Sequence, residues 1–280
     1  MKMYERGRWR KIAAATFRVF FDPDTSLRCA GTAFFGFLSM FPAVGIVAAT
    51  YGLLADPGTL EATVEALEYI LPAAVLELLQ EQLRSLIAQP PATLGLGLVV
   101  SVLLALWSGS RGVNALIYAM SRVRREPERR NFVKSLLVSI GLTVGGAVFV
   151  SIALLTIAGL PALVPFPTGN DWVVLAVRWP VLLALSVVVL SALFRWGPDR
   201  HPRRVRYIWP GALLASALWM LAGVVFSIYV ENFSNYQATF GSIAAAVVLL
   251  LWIYNSAQIL VLGAAFNAAI EAARPQVATR

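Results

Sequence analysis

Cysteine and histidine each occur once in this sequence, as Cys29 and His201. A zinc site needs several such ligands. Ser/His or Cys/His catalysis would have to run through His201, which lies among Arg200, Arg203 and Arg204. A lone cysteine forms no intrachain disulfide. The acids Glu5, Asp22, Asp24, Glu126, Glu128, Asp199 and Glu271 are scattered, mostly beside Arg or Lys. That is the pattern of solvated surface carboxylates, not of a general acid–base pair or a metal-holding cluster. The residue set predicts no catalytic residue, no metal, no cofactor and no enzyme.

Polar side chains inside apolar stretches are the remaining candidates. Arg111 and Asn114 follow Trp107-Ser108-Gly109-Ser110, and a charge within an apolar helix marks a functional position or a partnered one. Arg111 lies roughly 27 Å from the outer end of a helix starting at Thr93, near enough to the inner boundary to snorkel. Anchoring and substrate contact have equal claim on it. Arg178 poses the same question, with Asp171 as a partner, and anchoring is favoured there. The run from Tyr229 to Ser242 is dense in turn formers, amides and aromatics; a tight outer turn is its simplest reading, and contact of Asn232, Asn235, Tyr236, Thr239 and Ser242 with a polar substrate group is the alternative. Asn255 and Gln258 share one helical face, while Asn267 and Glu271 share another. Amides so placed bond a neighbouring helix more often than a substrate.

The elements that would position these residues follow from composition. Across 280 residues, 59% are hydrophobic and 14% charged, and the mean hydropathy is +0.72, far from the soluble balance. Six stretches are long and apolar enough to cross a hydrocarbon core of about 30 Å, at about 29–55, 93–120, 132–160, 172–194, 207–230 and 242–270. The expected fold is therefore all-α: a single polytopic membrane helical bundle over 1–280, with about six transmembrane helices plus short amphipathic ones. Residues 1–28 read as a cytoplasmic amphipathic segment, with Trp9, Ile12, Ala13, Thr16, Phe17 and Phe20 at helical spacing opposite Arg10, Lys11 and Arg18. Residues 56–91, dividing at Pro72, read as two extracytoplasmic amphipathic helices.

The net charge of +8 could suggest a nucleic-acid partner, but its distribution argues otherwise. Residues 1–28 carry seven Lys/Arg against three acids, 122–134 six against two, and 195–206 five against one. Between them, 56–84 carries six acids and only Arg84. This alternation is the positive-inside pattern. It predicts a multi-pass protein of the bacterial inner membrane with both termini cytoplasmic, and it leaves no need for nucleic acid. Arg6, Arg8, Arg10, Lys11 and Arg18 interrupt the N-terminal segment, so no cleavable signal is expected.

The blocks Ala30-Gly31-Thr32-Ala33-Phe34-Phe35, Ser39-Met40-Phe41-Pro42, Trp107 to Leu116, Pro210-Gly211-Ala212-Leu213 and Asn235-Tyr236-Gln237-Ala238-Thr239-Phe240-Gly241-Ser242 resemble the YihY/BrkB family of bacterial inner-membrane proteins. Leu250 to Tyr254 and Leu262 to Ala268 extend the likeness through the last span. The resemblance implies a six-helix inner-membrane protein from a family once labelled ribonuclease BN, also associated with virulence and suggested to move lipids or other substrates. It supplies no catalytic residues. Where the family usually reads Gly-Ala-Glu-Leu-Asn, this chain has Gly263-Ala264-Ala265-Phe266-Asn267, so a carboxylate at that point is no obligatory proton carrier here.

Three function classes follow in order: a transporter or lipid-handling protein of the envelope, a non-transporting scaffold for envelope protein partners, and a ribonuclease. The expected partners are membrane lipids and a lipid or small amphipathic substrate.

Overall fold

A computed structural model describes residues 2–54, 91–123, 130–163, 171–199, 208–232 and 242–273, and no strand occurs among them. The described helices are α1 (Lys2–Phe20), α2 (Pro23–Leu54), α3 (Pro91–Val123), α4 (Phe132–Leu163), α5 (Asp171–Trp196), α6 (Trp209–Asn232) and α7 (Ser242–Ala272). The amphipathic helices expected within 56–91 fall outside the described residues, apart from Pro91 at the start of α3. His201 and the segment 233–241 are also outside them.

The chain punctuates α1 from α2 with a recognisable start signal. Asp22 accepts hydrogen bonds from the Thr25 N–H (3.0 Å) and the Thr25 hydroxyl (2.8 Å), the geometry of an N-cap. Pro23 follows at the first helical position, where its missing N–H costs nothing. Helix α2 thus begins six residues before the uncharged stretch that opens at Cys29.

The apolar positions of α1 do not form one face. Ile12 and Thr16 are buried and Val19 packs against the core, whereas Trp9, Ala13, Phe17 and Phe20 are exposed. The helix lies mainly against α7 and only lightly against α2, and this contact takes the 12–16–19 stripe. Phe17, Phe20 and Phe21 cluster on the other side, with ring centroids 5.3–6.3 Å apart.

Among the described residues, five helical segments are long and apolar enough to cross a membrane: Gly95–Val123, Phe132–Val150, Trp179–Trp196, Trp209–Val230 and Ala244–Ala272. Their outward side chains are large and apolar, among them Leu103, Val148, Leu221 and Val247. Water would penalise such a surface, and lipid does not.

Helices α2 to α7 pack in sequence order, α2 on α3 and so on to α6 on α7, and α7 closes the ring against α2 while also touching α3. Asp24 pairs with Arg122 at 2.9 Å, Arg130 bonds the Gly197 carbonyl at 2.7 Å, and the Gly211 N–H bonds Asn267 at 2.8 Å. The N-termini of α2, α4 and α6 therefore lie at the same end as the C-termini of α3, α5 and α7. This is the basic end of the bundle. Along the α2–α3 pair, Asp24 meets Arg122, Gly31 faces Ala115 and Gly45 faces Ser101. Each advance along α2 matches an equal retreat along α3, so the antiparallel register is constant.

The tightest packing also sits toward the basic end, in a core that includes Cys29, Ile117, Met120, Phe194, Ala212, Ala215 and Val261. A Cβ on Gly263 would stand 2.6 Å from the Gly211 carbonyl oxygen and 2.7 Å from the Ala215 methyl. Only glycine lets α6 and α7 approach so closely, and small residues are the usual means of helix contact in lipid.

Candidate functional site

Away from this close crossing the ring holds a cavity of about 1050 Å³. One wall is α4, where Gly141, Gly145 and Gly146 recur on one face. Nothing lies within 4 Å of where their Cβ atoms would stand, so the missing side chains leave open volume. Apolar residues such as Leu142, Phe149, Val189, Leu193, Trp219 and Leu260 supply most of the rest. Ser186, Ser216 and Ser256 add hydroxyls. Ser256 accepts the indole N–H of Trp219 at 3.0 Å, while the buried Ser216 Oγ has no hydrogen-bond partner among the described residues.

The cavity meets the basic end at Arg130, Lys134, Arg195 and Asp199. Arg130 is committed to structure. Its guanidinium donates to the carbonyls of Gly197 (2.7 Å), Trp196 (3.2 Å) and Pro198 (3.2 Å), and its Nε lies 3.4 Å from Asp199 Oδ1. A planar five-donor group suits this fan of acceptors, and a cation also complements the partial negative charge at the end of α5. The Arg130–Asp199 pair is nearly neutral. Lys134, one turn further along α4, and Arg195, on the last turn of α5, are exposed. No described carboxylate pairs with either, so they give the mouth its positive charge.

Asp199 is the only carboxylate among the described cavity-lining residues, and Arg130 holds it. No group of three or more His, Cys, Asp or Glu side chains able to hold a metal occurs among the described residues. What remains is a binding chemistry: apolar walls, a few hydroxyls and a cationic mouth.

The candidate residues from sequence are dispersed over this architecture. Arg111 and Asn114 line a smaller groove of about 520 Å³ between α2 and α3, and Asn114 Oδ1 also stands 3.5 Å from the Ser135 hydroxyl on α4. Gln258 is buried and donates to the Tyr254 hydroxyl at 2.7 Å and to Ser26 at 3.3 Å. Asn267 is buried between α6 and α7, whereas Asn255 is exposed beside the cavity-lining Ser256. Arg178, Asn232 and Ser242 fall on α5, α6 and α7. Asn235, Tyr236 and Thr239 lie outside the described residues. Ala265 is buried.

Lys134, Arg195 and the α4 glycines are not among the site residues expected from sequence. The glycine spacing of four and one was a visible signal, since it places all three on one side of a helix.

These features define a multi-pass helical membrane protein. The chain belongs to the family described as Virulence factor BrkB, whose model matches residues 16–279. Among similar proteins is YfkH of Bacillus subtilis, named ribonuclease-like, 30% identical over 252 residues that cover 86% of this chain and 88% of that protein. A UPF0761 membrane protein of Idiomarina loihiensis is 28% identical over 198 residues, covering 70% of this chain and 67% of its own. A UPF0761 membrane protein of Xanthomonas campestris is 37% identical over 94 residues, 34% of this chain and 22% of its own. No solved structure matches the chain.

Proposed function

We propose that this protein is an inner-membrane transporter or lipid-handling protein, and that its substrate is an amphiphile with an anionic head. The observation that carries this reading is the pairing, in one cavity, of apolar walls with a mouth bearing Lys134 and Arg195. Apolar pockets with a few convergent polar groups are the usual form of small-molecule sites. Here the charge stands at one end and the apolar surface extends away from it, as a headgroup and acyl chain require. The volume of about 1050 Å³ exceeds that of a small polar solute.

The positive-inside pattern assigns the basic end to the cytoplasm, together with both termini. The substrate's head would then sit at inner-leaflet depth, where a lipid can enter between helices without leaving the bilayer. The name given to YfkH raises hydrolysis of RNA for this chain, but the described cavity wall offers one carboxylate, already paired, and no second group to act with it.

Quenching by brominated lipid tests the reading, because Trp219 and Trp252 both line the cavity. Protein in nanodiscs should be quenched more by acyl-brominated phosphatidylglycerol than by the phosphatidylcholine analogue. Trp219→Phe with Trp252→Phe should shrink the difference, the remainder coming from Trp196, which also lines the cavity, and from tryptophans outside it. Equal quenching by both lipids in the wild type would refute an anion-selective cavity.

A further inference from the structure

Helix α3 has a second working face. At 3.6 residues per turn, Val113 and Leu116 point toward the large cavity while Trp107, Arg111 and Tyr118 point away from it, into the groove against α2. Arg28 and Phe35 form the α2 side of that groove. The constant register sets Arg28 level with Tyr118 and Arg111 level with Phe35. The two arginine stems thus start about 10 Å apart along the helix axes, and both side chains border one groove.

Among the described residues, neither arginine has a carboxylate partner. The carboxylate nearest to Arg28 along its helix, Asp24, is taken by Arg122 at 2.9 Å. Trp107 and Tyr118 are exposed, and Trp107 stands edge-on to Phe35 with centroids 6.3 Å apart. Further from the basic end, the same side of α3 continues as the exposed Leu104 and Val100.

We infer that the Arg28–Arg111 groove is a binding site for an anionic phospholipid of the leaflet at the basic end, separate from the cavity. Two guanidinium groups suit a phosphodiester, because each can give it parallel N–H bonds. Basic pockets between transmembrane helices are where anionic headgroups dock. The apolar strip of Leu104 and Val100 continues from the arginines as an acyl chain does from its phosphate, a feature a free phosphate would not use. Aromatic rings beside the arginines suit the headgroup level. This assignment goes beyond the cavity reading and does not depend on it.

The test uses the full chain in phosphatidylcholine nanodiscs containing a trace of photoreactive phosphatidylglycerol, its diazirine near the glycerol, with peptides mapped by mass spectrometry. The wild type should be labelled on the groove face, at Trp107, Arg111 or Tyr118 and not at the cavity-lining Val113 and Leu116, and an equivalent phosphatidylcholine probe should label that face about ten-fold less. Arg28→Gln with Arg111→Gln should abolish the preference, while Lys134→Gln with Arg195→Gln should leave it intact. The comparison of the two probes on wild type needs no variant, so it stands if a variant misfolds. Equal labelling by both probes overturns the assignment. Loss of labelling on adding excess inorganic phosphate also overturns it, in favour of a free-anion site. So does absent labelling combined with disulfide formation between copies bearing Tyr118→Cys, which would mean that a second chain covers the groove.

Discussion

Asn267 on α7 bonds the first turn of α6 through both atoms of its amide, accepting from the Gly211 N–H at 2.8 Å and donating to the Ile208 carbonyl at 2.9 Å. The first turn of any helix has N–H groups with no intrahelical partner, and here a neighbouring helix supplies one. The side chain is 1% exposed. Asn267→Ala should therefore lower stability in detergent by roughly 1–2 kcal/mol. Asn267→Asp should do little better, because an ionised carboxylate accepts from Gly211 but cannot donate to Ile208. Thermal unfolding followed by near-UV circular dichroism checks both.

The glycines separate into two classes that the same measurement distinguishes. A methyl on Gly211 would collide with the Gly263 carbonyl and the Asn267 side chain, while one at Gly141 meets nothing within 4 Å. Gly211→Ala should be strongly destabilising. Gly141→Ala should be neutral or slightly stabilising, since alanine is the better helix former by about 1 kcal/mol.

Arg130 predicts a failure of conservative replacement. Lysine keeps the charge but cannot address three carbonyls and a carboxylate from one plane. Arg130→Lys should cost roughly 1.5–3 kcal/mol, the range for hydrogen bonds to charged groups. Asp199→Asn should cost less, because the carbonyl contacts survive. Equal unfolding temperatures for Arg130→Lys and wild type would contradict the clamp.

Topology has its own check. In a Cys29→Ser background, single cysteines at Thr59, Thr168 and Gln237 should react with an impermeant thiol reagent in intact cells, and one at Arg203 should not. Labelling at Arg203 without labelling at Gln237 would invert the orientation.

Much of the fold was legible because lipid imposes a simple rule: uncharged stretches become helices, and their alternation in charge orders their ends. The α1–α2 boundary is also written locally, in Asp22-Pro23, although the charge on Asp24 and Arg28 groups residues 23–28 with the amphipathic segment 1–28 when the sequence is read alone. The functional surfaces were less legible, for a geometric reason. Lys134 and Arg195 look like ordinary loop charges until the start of α4 and the end of α5 come together at one mouth. Arg111 is ambiguous in its own helix. Its companion Arg28 is far away in sequence, and only the α2–α3 register brings them to one groove. The split of the α1 apolar residues likewise depended on which neighbour reached that helix.

Ribonuclease activity should be absent from the purified protein. On a structured RNA with added Mg²⁺, Mn²⁺ or Zn²⁺, any turnover should be equal in wild type and in a variant carrying His201→Ala, Asp199→Ala and Glu126→Ala. Robust turnover lost in that variant would overturn the transport reading.

A cryo-EM map of the protein in nanodiscs containing phosphatidylglycerol tests lipid binding in the cavity most directly. Elongated density is expected between α4, α5 and α7, its head against Lys134 and Arg195 and its tail running past Trp219 toward Phe149. The same density should be lost in Gly145→Trp, whose Cβ would meet nothing within 4 Å and whose ring would take up cavity space. A cavity closed by collapse of α4 onto α6 and α7, or a ligand with its head at the end away from Lys134, would contradict the proposed binding.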